Sequence, residues 1–380
     1  MEITTFLKAM ADKEASDLFF SVGAPVNVKV KVKGHTLPIS RNPLKPGDVK
    51  KLAYSFISDQ QRAEFEREME LNFALNLNDI GRFRVNLYRQ RGEVSMVIRY
   101  IRSIIPSMES LHLPPILKEL VMEPRGLILV VGATGSGKST TLASMIDYRN
   151  ANKEGHILTI EDPVEFVYEH KKAVVDQREV GLDTLSYENA LKNAMRQAPD
   201  VILIGEIRDR DTMQHAISYA ETGHLCLSTL HANNANQAID RIINFFPEAA
   251  HHQLLLDLSL NLKSVISQRL LPSTDGELVP AMEIMTRSSY IADLIEKQEI
   301  DLLKEAIEKS RELGMQTFDQ ALYDLYRQGR ITREIALENA DSRNNLTIRM
   351  NLEGSETDRS TDGLELTDLN SDFQTYGKDI

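Results

Sequence analysis

The chain has 380 residues, 44 basic against 56 acidic side chains, a formal charge of −12, and a composition 42% hydrophobic and 26% charged. Such a length predicts two to three domains with real cores, and the acidic balance disfavours a general nucleic-acid binder. The single cysteine, Cys226, excludes an internal disulfide or a multi-cysteine zinc cluster, and the best apolar run, Gly126 to Ala133, is far too short for a membrane span.

The first seventeen residues carry acids early and lack the basic start and apolar stretch of a signal peptide, so the expectation is a cytoplasmic protein. Val26, Val28, Val30 and Val32 alternate with polar residues, the period of a half-buried strand, and Gly34-His35 follows as a turn. Asp48 to Glu70 reads as two short helices. Leu71 to Leu77, Phe83 to Leu87 and Val94 to Ile101 read as further strands. Residues 1–103 are therefore expected to form a small α/β domain with a mostly antiparallel sheet. Residues 104–115, with Pro106, Pro114 and Pro115, are the expected linker. Within the first domain six arginines fall between Arg82 and Arg102. Alternation puts Arg82, Arg84 and Arg99 on comparable polar faces. That leaves open a solvated face, a nucleic-acid patch, or arginine fingers delivered to a neighbouring subunit, since a guanidinium fork suits phosphate charge.

After the linker the texture changes. Gly126–Val131, His156–Ile160, Val201–Ile204 and Leu225–Leu230 are short continuous apolar runs separated by helical stretches, the pattern of a parallel sheet covered on both faces. From Gln253 onward the pattern reads as helical only, ending near Ala340. Residues 116–350 are taken as one α/β unit with a C-terminal helical part. Residues 351–380 hold eight acids and two bases, half of the net charge, in a Ser/Thr/Asp/Gly-rich context. The expectation there is a disordered tail.

Gly132-Ala133-Thr134-Gly135-Ser136-Gly137-Lys138-Ser139 fits the P-loop pattern G-x-x-x-x-G-K-[ST]. Glycines let backbone N–H groups close around phosphate, the following helix, opening through Thr140, presents its positive end, Lys138 reaches the outer phosphates, and the Ser139 hydroxyl can ligate Mg²⁺. ATP and Mg²⁺ are the expected ligands. Glu161, Asp162 and Glu165 lie just past one predicted strand and Glu206 past another, where ligands bind in open α/β sheets. Strand-end carboxylates often serve only as caps. Beside a P-loop, Glu161 and Glu206 become the candidate catalytic acids, with Glu206 favoured for polarising water or the metal shell because Gly205 stands where many P-loop enzymes carry an Asp. His231 ends the Leu225–Leu230 run, either as a structural histidine or as a γ-phosphate sensor.

GATGSGKST, ILTIEDPVEF, DVILIGEIRD and TGHLCLSTLHANNA, together with Asp17-Leu-Phe-Phe-Ser-Val-Gly-Ala-Pro and the Arg82–Arg102 segment, resemble the secretion-type hexameric ATPases. Within them the likeness is to the type IV pilus retraction motors of the PilT/PilU group. The resemblance implies a PAS-like N-terminal domain, a RecA-like ATPase domain and a homo-hexamer with nucleotide between subunits. It implies Arg84 and Arg99 as the fingers, and Arg196 and Arg208 near the nucleotide. Extension and type II secretion motors usually carry a paired-cysteine zinc insertion that this chain has no room for, so retraction is expected and extension or secretion is the alternative, beside a weakly hydrolysing regulatory subunit. Principal retraction motors carry an AIRNLIRE-type helix. Here Tyr290 to Lys297 keeps the apolar spacing of Ile291, Leu294 and Ile295 but inverts the polar charge through Ala292, Glu296 and Lys297. This resembles the accessory, PilU-like branch, and implies a PilT-type ring and an inner-membrane platform protein as partners, with no zinc and no nucleic acid.

Overall fold

The computed structural model describes residues 2–13, 15–30, 35–77, 80–101 and 104–357. Val32 and Gly34 of the first strand-and-turn expectation, Arg102, and residues 358–380 of the acidic segment lie outside them.

Six strands form the first sheet: β1 (Ala15–Phe20), β2 (Asn27–Val30), β3 (Thr36–Pro38), β4 (Glu70–Leu77), β5 (Gly81–Gln90) and β6 (Glu93–Ile101). Their order is β3-β2-β1-β6-β5-β4, with every pair antiparallel. Alternation sorts the faces. Phe83, Val85 and Leu87 of β5 point into a core shared with Leu18, Phe20, Met96 and Ile98, while Arg82 and Arg84 stay on the polar side. The helices Asp48–Tyr54 and Asp59–Glu68 close that core; Ser58 and Gln61 form a reciprocal capping box that starts the second.

The second sheet holds β7 (Gly126–Val131), β8 (Gly155–Glu161), β9 (Ala173–Glu179), β10 (Val201–Ile204), β11 (Leu225–Leu230), β12 (Leu262–Pro272) and β13 (Leu278–Thr286), in the order β13-β12-β7-β11-β10-β8-β9. All neighbours are parallel except the edge hairpin β12–β13. Both faces are covered. Leu127, Leu129 and Val131 of β7 enter one core, and Ile128 and Val130 enter the other.

The hairpin β12–β13 corrects the expectation of helices only after Gln253. Neither glycine nor proline separates the helix His251–Asn261 from β12, so the change of period is hidden inside one apolar run. The buried polar residues of β12 are satisfied across the ladder: Ser264 Oγ donates to the Met285 carbonyl at 2.8 Å and Ser267 Oγ to Glu283 Oε1 at 3.2 Å. A second correction concerns the acidic segment. The helix Arg343–Thr357 runs past residue 351, anchored by Leu346 and Met350 in a C-terminal core with Phe318 and Leu322. The 104–115 segment is also more than a tether, since Met108 and Leu113 are buried beside Leu117 and Val121. In the helix Ser289–Glu296, Ile291, Leu294 and Ile295 are buried, as their spacing predicts.

Candidate nucleotide site

β7 delivers the chain into the Gly132–Gly137 loop, and the helix Lys138–Asn152 leaves it. Gly132 (φ 155°) and Gly137 (φ 87°) are required there. A Cβ on Gly132 would stand 2.5 Å from the Gln268 carbonyl oxygen, and one on Gly137 2.8 Å from Gln268 Nε2. The loop is thus wedged against β12, and Thr141 Oγ1 donates to Gln268 Oε1 at 2.7 Å to complete the wedge. Lys138 folds over the loop and donates from Nζ to the Gly132 and Ala133 carbonyls, both at 2.9 Å. Burial lowers its pKa, with Glu206 and Glu165 pulling the other way. Ser139 Oγ donates to Glu165 Oε1 at 3.1 Å.

A cavity of about 210 Å³ gathers Thr134 and Gly135 of the loop and Lys138 and Ser139 of the helix with Glu161 at the end of β8, Glu165 beyond it, Glu206 after β10 and His231 after β11. These are the C-terminal ends of parallel strands, where a sheet of this kind binds its ligand. Glu206 Oε2 accepts from Arg208 Nε at 2.7 Å, and Glu206 Oε1 lies 3.1 Å from His231 Nε2. Arg208 also approaches Asp162 at 3.8 Å. The missing Asp at Gly205 has a steric reason: a Cβ there would meet Tyr187 Oη at 2.9 Å and the Glu161 Cα at 3.2 Å. Thr229 Oγ1 donates to the Gly205 carbonyl at 2.6 Å and fixes this turn.

The two candidate acids occupy different environments. Burial pushes the Glu161 carboxyl up to about 7, although Thr159 Oγ1 donates to it at 2.8 Å. Glu206 reaches the cavity surface between a guanidinium and an imidazole. The sequence reading named Glu165 only as one of three strand-end carboxylates, yet it is the one in contact with Ser139.

Arg84 and Arg99 face each other across β5 and β6, and Arg99 faces Asp17 across β6 and β1. Arg99 Nε donates to Asp17 Oδ1 at 2.8 Å. Both arginines line a second cavity of about 240 Å³ together with Thr140, Pro163, Glu165 and Phe166, the last three of which also border the P-loop cavity. Delivery to a neighbouring subunit is one of the readings the sequence leaves open; within the one chain described, the arginines stand beside that chain's own P-loop helix. The reason is topological. The antiparallel sheet puts them mid-strand on a face that packs toward the Asp162–Phe166 loop, which strand alternation alone cannot reveal. Arg196 lies elsewhere, with Nη1 donating to Asn193 Oδ1 at 3.0 Å. Cys226 is buried in the core, which pushes its thiol up.

The residues fit a nucleoside triphosphate. Lys138 and Ser139 at the start of the helix line the cavity with Thr134 and Gly135, and the buried Ser136 Oγ has no hydrogen-bond partner of its own. Residues 2–336 match the family model described as Type II/IV secretion system protein. The chain is 52% identical to the type IV pilus ATPase PilU of Pseudomonas aeruginosa, over 96% of this chain and 97% of that protein. It is 44% identical to the type IV pilus retraction ATPase PilT of the same organism, over 90% and 98%. Its fold matches the crystal structure of the pilus retraction motor PilT with bound ADP at a TM-score of 0.84 and 42% identity, covering 92% of this chain and 99% of that one.

Proposed function

The chain belongs to the Type II/IV secretion system protein family and is an ATPase of the type IV pilus retraction kind, and from that premise we propose that it works as a homo-hexameric motor whose catalytic parts lie within one chain. The observation that carries this reading is the convergence of Lys138, Ser139, Glu165 and Glu206 on one cavity with Arg84 and Arg99 on its rim. The loop N–H groups and Lys138 bind the phosphates. Ser139 with Glu165 and Glu206 would hold Mg²⁺, which would neutralise phosphate charge. Glu206 polarises the attacking water, and His231, 3.1 Å from it, orients that carboxylate and senses the outer phosphate. Glu161, whose carboxyl burial pushes up to about 7 so that it is about half protonated at neutral pH, supports the floor of the site by hydrogen bonding. Arg84 and Arg99 meet the charge that develops on the transferred phosphoryl group.

Among the described residues no helix is long and apolar enough to cross a membrane. From its likeness to pilus ATPases we propose that the motor acts from the cytoplasm, docked on the inner-membrane platform of the pilus machine. The helix Ser289–Glu296 presents Glu296 and Asp293 outside its buried stripe, with Asp293 paired to Lys297 at 2.8 Å, so that the face carries one net negative charge. That acidic face suits docking to a second, PilT-type ring as an accessory to retraction. Two measurements test the reading. Phosphate release from ATP by the purified chain should be unaffected by single-stranded DNA, and a PilT-type motor should be retained by the immobilised chain. Absence of phosphate release overturns the catalytic reading, and absence of retention overturns the accessory one.

A further inference from the structure

Glu179, the last residue of β9, is a buried carboxylate with no part in the proposed chemistry; 1% of its surface is exposed. Its Oε2 accepts from the Val164 N–H at 3.2 Å. Val164 stands between Pro163 and Glu165, and Glu165 contacts Ser139, so Glu179 holds the loop that brings an acid to the P-loop. A second observation concerns charge. Burial pushes the Glu179 carboxyl up and Asp183 adds to that, while the Val164 N–H, Arg84 and then Arg82 pull it back down; both arginines come from β5 of the other sheet. Arg84 and Val164 border the same cavity. Arg99 differs. It is tied to Asp17 within its own sheet, a pair that any movement of that sheet carries along unchanged, whereas Arg84 has no direct ion-pair partner among the described residues.

A buried carboxylate is stable as an anion only when a positive group compensates it. Phosphate oxygens arriving in the neighbouring cavity compete for the same guanidinium. We propose that Glu179 is a positioning residue that holds Arg84 by its charge in the empty site and yields it to the phosphates when ATP binds, so that nucleotide binding is linked to the placement of one sheet on the other. The idea rests on the assignment of Arg84 to the phosphates made above.

Glu179→Gln keeps an acceptor for the Val164 N–H and removes the charge. Glu179→Asp keeps the charge and shortens the reach to that N–H. Binding of a fluorescent, non-hydrolysed ATP analogue to the full chain is measured for both, and for Glu179→Gln combined with Arg84→Gln. Charge competition predicts about three- to tenfold tighter binding in Glu179→Gln, wild-type affinity within twofold in Glu179→Asp, and no effect of Glu179→Gln once Arg84→Gln is present. A purely structural role predicts the reverse: Gln neutral, Asp damaging. That result, or an equal effect of Glu179→Gln with and without Arg84, overturns the proposal. If Glu179→Gln does not fold, loss of affinity in Glu179→Asp overturns it alone. Wild-type affinity in Arg84→Gln overturns the arginine assignment and this inference with it, while a wild-type chain that binds no nucleotide breaks the proposed function itself.

Discussion

The two sheets carry their polar chemistry in opposite ways. In the parallel sheet every residue of β7, β10 and β11 is buried, and the reactive side chains sit just beyond the strand ends, on turns that local changes can move. In the antiparallel sheet the arginines sit mid-strand, Arg84 opposite Arg99, with ladder bonds on either side. Such residues cannot be repositioned by a loop; they move when the whole sheet moves. The distance from guanidinium to phosphate is therefore set by the placement of one rigid body on another, which is the geometry a motor needs if hydrolysis is to be coupled to movement.

The comparison predicts where damage should be greatest. At the strand ends, Lys138→Ala should reduce hydrolysis by about 10³-fold, because it removes the one cation that the loop itself supplies, and Glu206→Gln by about 10²-fold with nucleotide still bound. Phosphate-release kinetics with parallel nucleotide-binding titrations check both. If Glu206→Gln turns over near the wild-type rate, the water-polarising role passes to another carboxylate.

At mid-strand, Arg84→Ala and Arg99→Ala should each cost about tenfold or more in kcat; Arg84→Ala should leave the melting temperature within a few degrees, whereas Arg99→Ala, which leaves the buried Asp17 without its cation, should lower it further. A loss confined to KM would place the arginines in ground-state binding instead.

The smallest effect concerns Glu161. Its folded pKa is about 7 against an ordinary 4.5, so between those values the native state holds a proton that the unfolded chain has lost. Stability then falls as pH rises from about 4.5 to about 7, by up to about 3 kcal/mol from this group. Denaturant titrations across that range should show a flatter profile for Glu161→Gln. An unchanged slope would mean that Glu161 is ionised and solvated.

What the sequence made legible follows the same division. The P-loop, Glu161, Glu206 and His231 are read from short motifs because strand-end chemistry is written in consecutive residues. The arginines were visible as a cluster but not as a placement, since which chain they serve depends on how two sheets pack. Glu179 carries no motif signal, and only its burial and its bond to Val164 mark it. The hairpin β12–β13 went unread because its buried serines and Gln268 break the apolar pattern while hydrogen bonds satisfy them. The Ser58–Gln61 capping box and the Arg91-Gly92 turn, with φ of 53° and 80°, are local devices that separate one element from the next.

The central claim, that the arginines and the P-loop of one site belong to one chain, is tested most directly by mixing. Chains carrying Arg84→Ala with Arg99→Ala are combined with chains carrying Lys138→Ala, and phosphate release is compared with each variant alone and with wild type diluted by Lys138→Ala chains. The placement seen here predicts no recovery, because no site in the mixture regains both halves, while wild-type activity persists in proportion to its share. Recovery well above the two variants alone would show that the arginines act across subunits and would contradict the account.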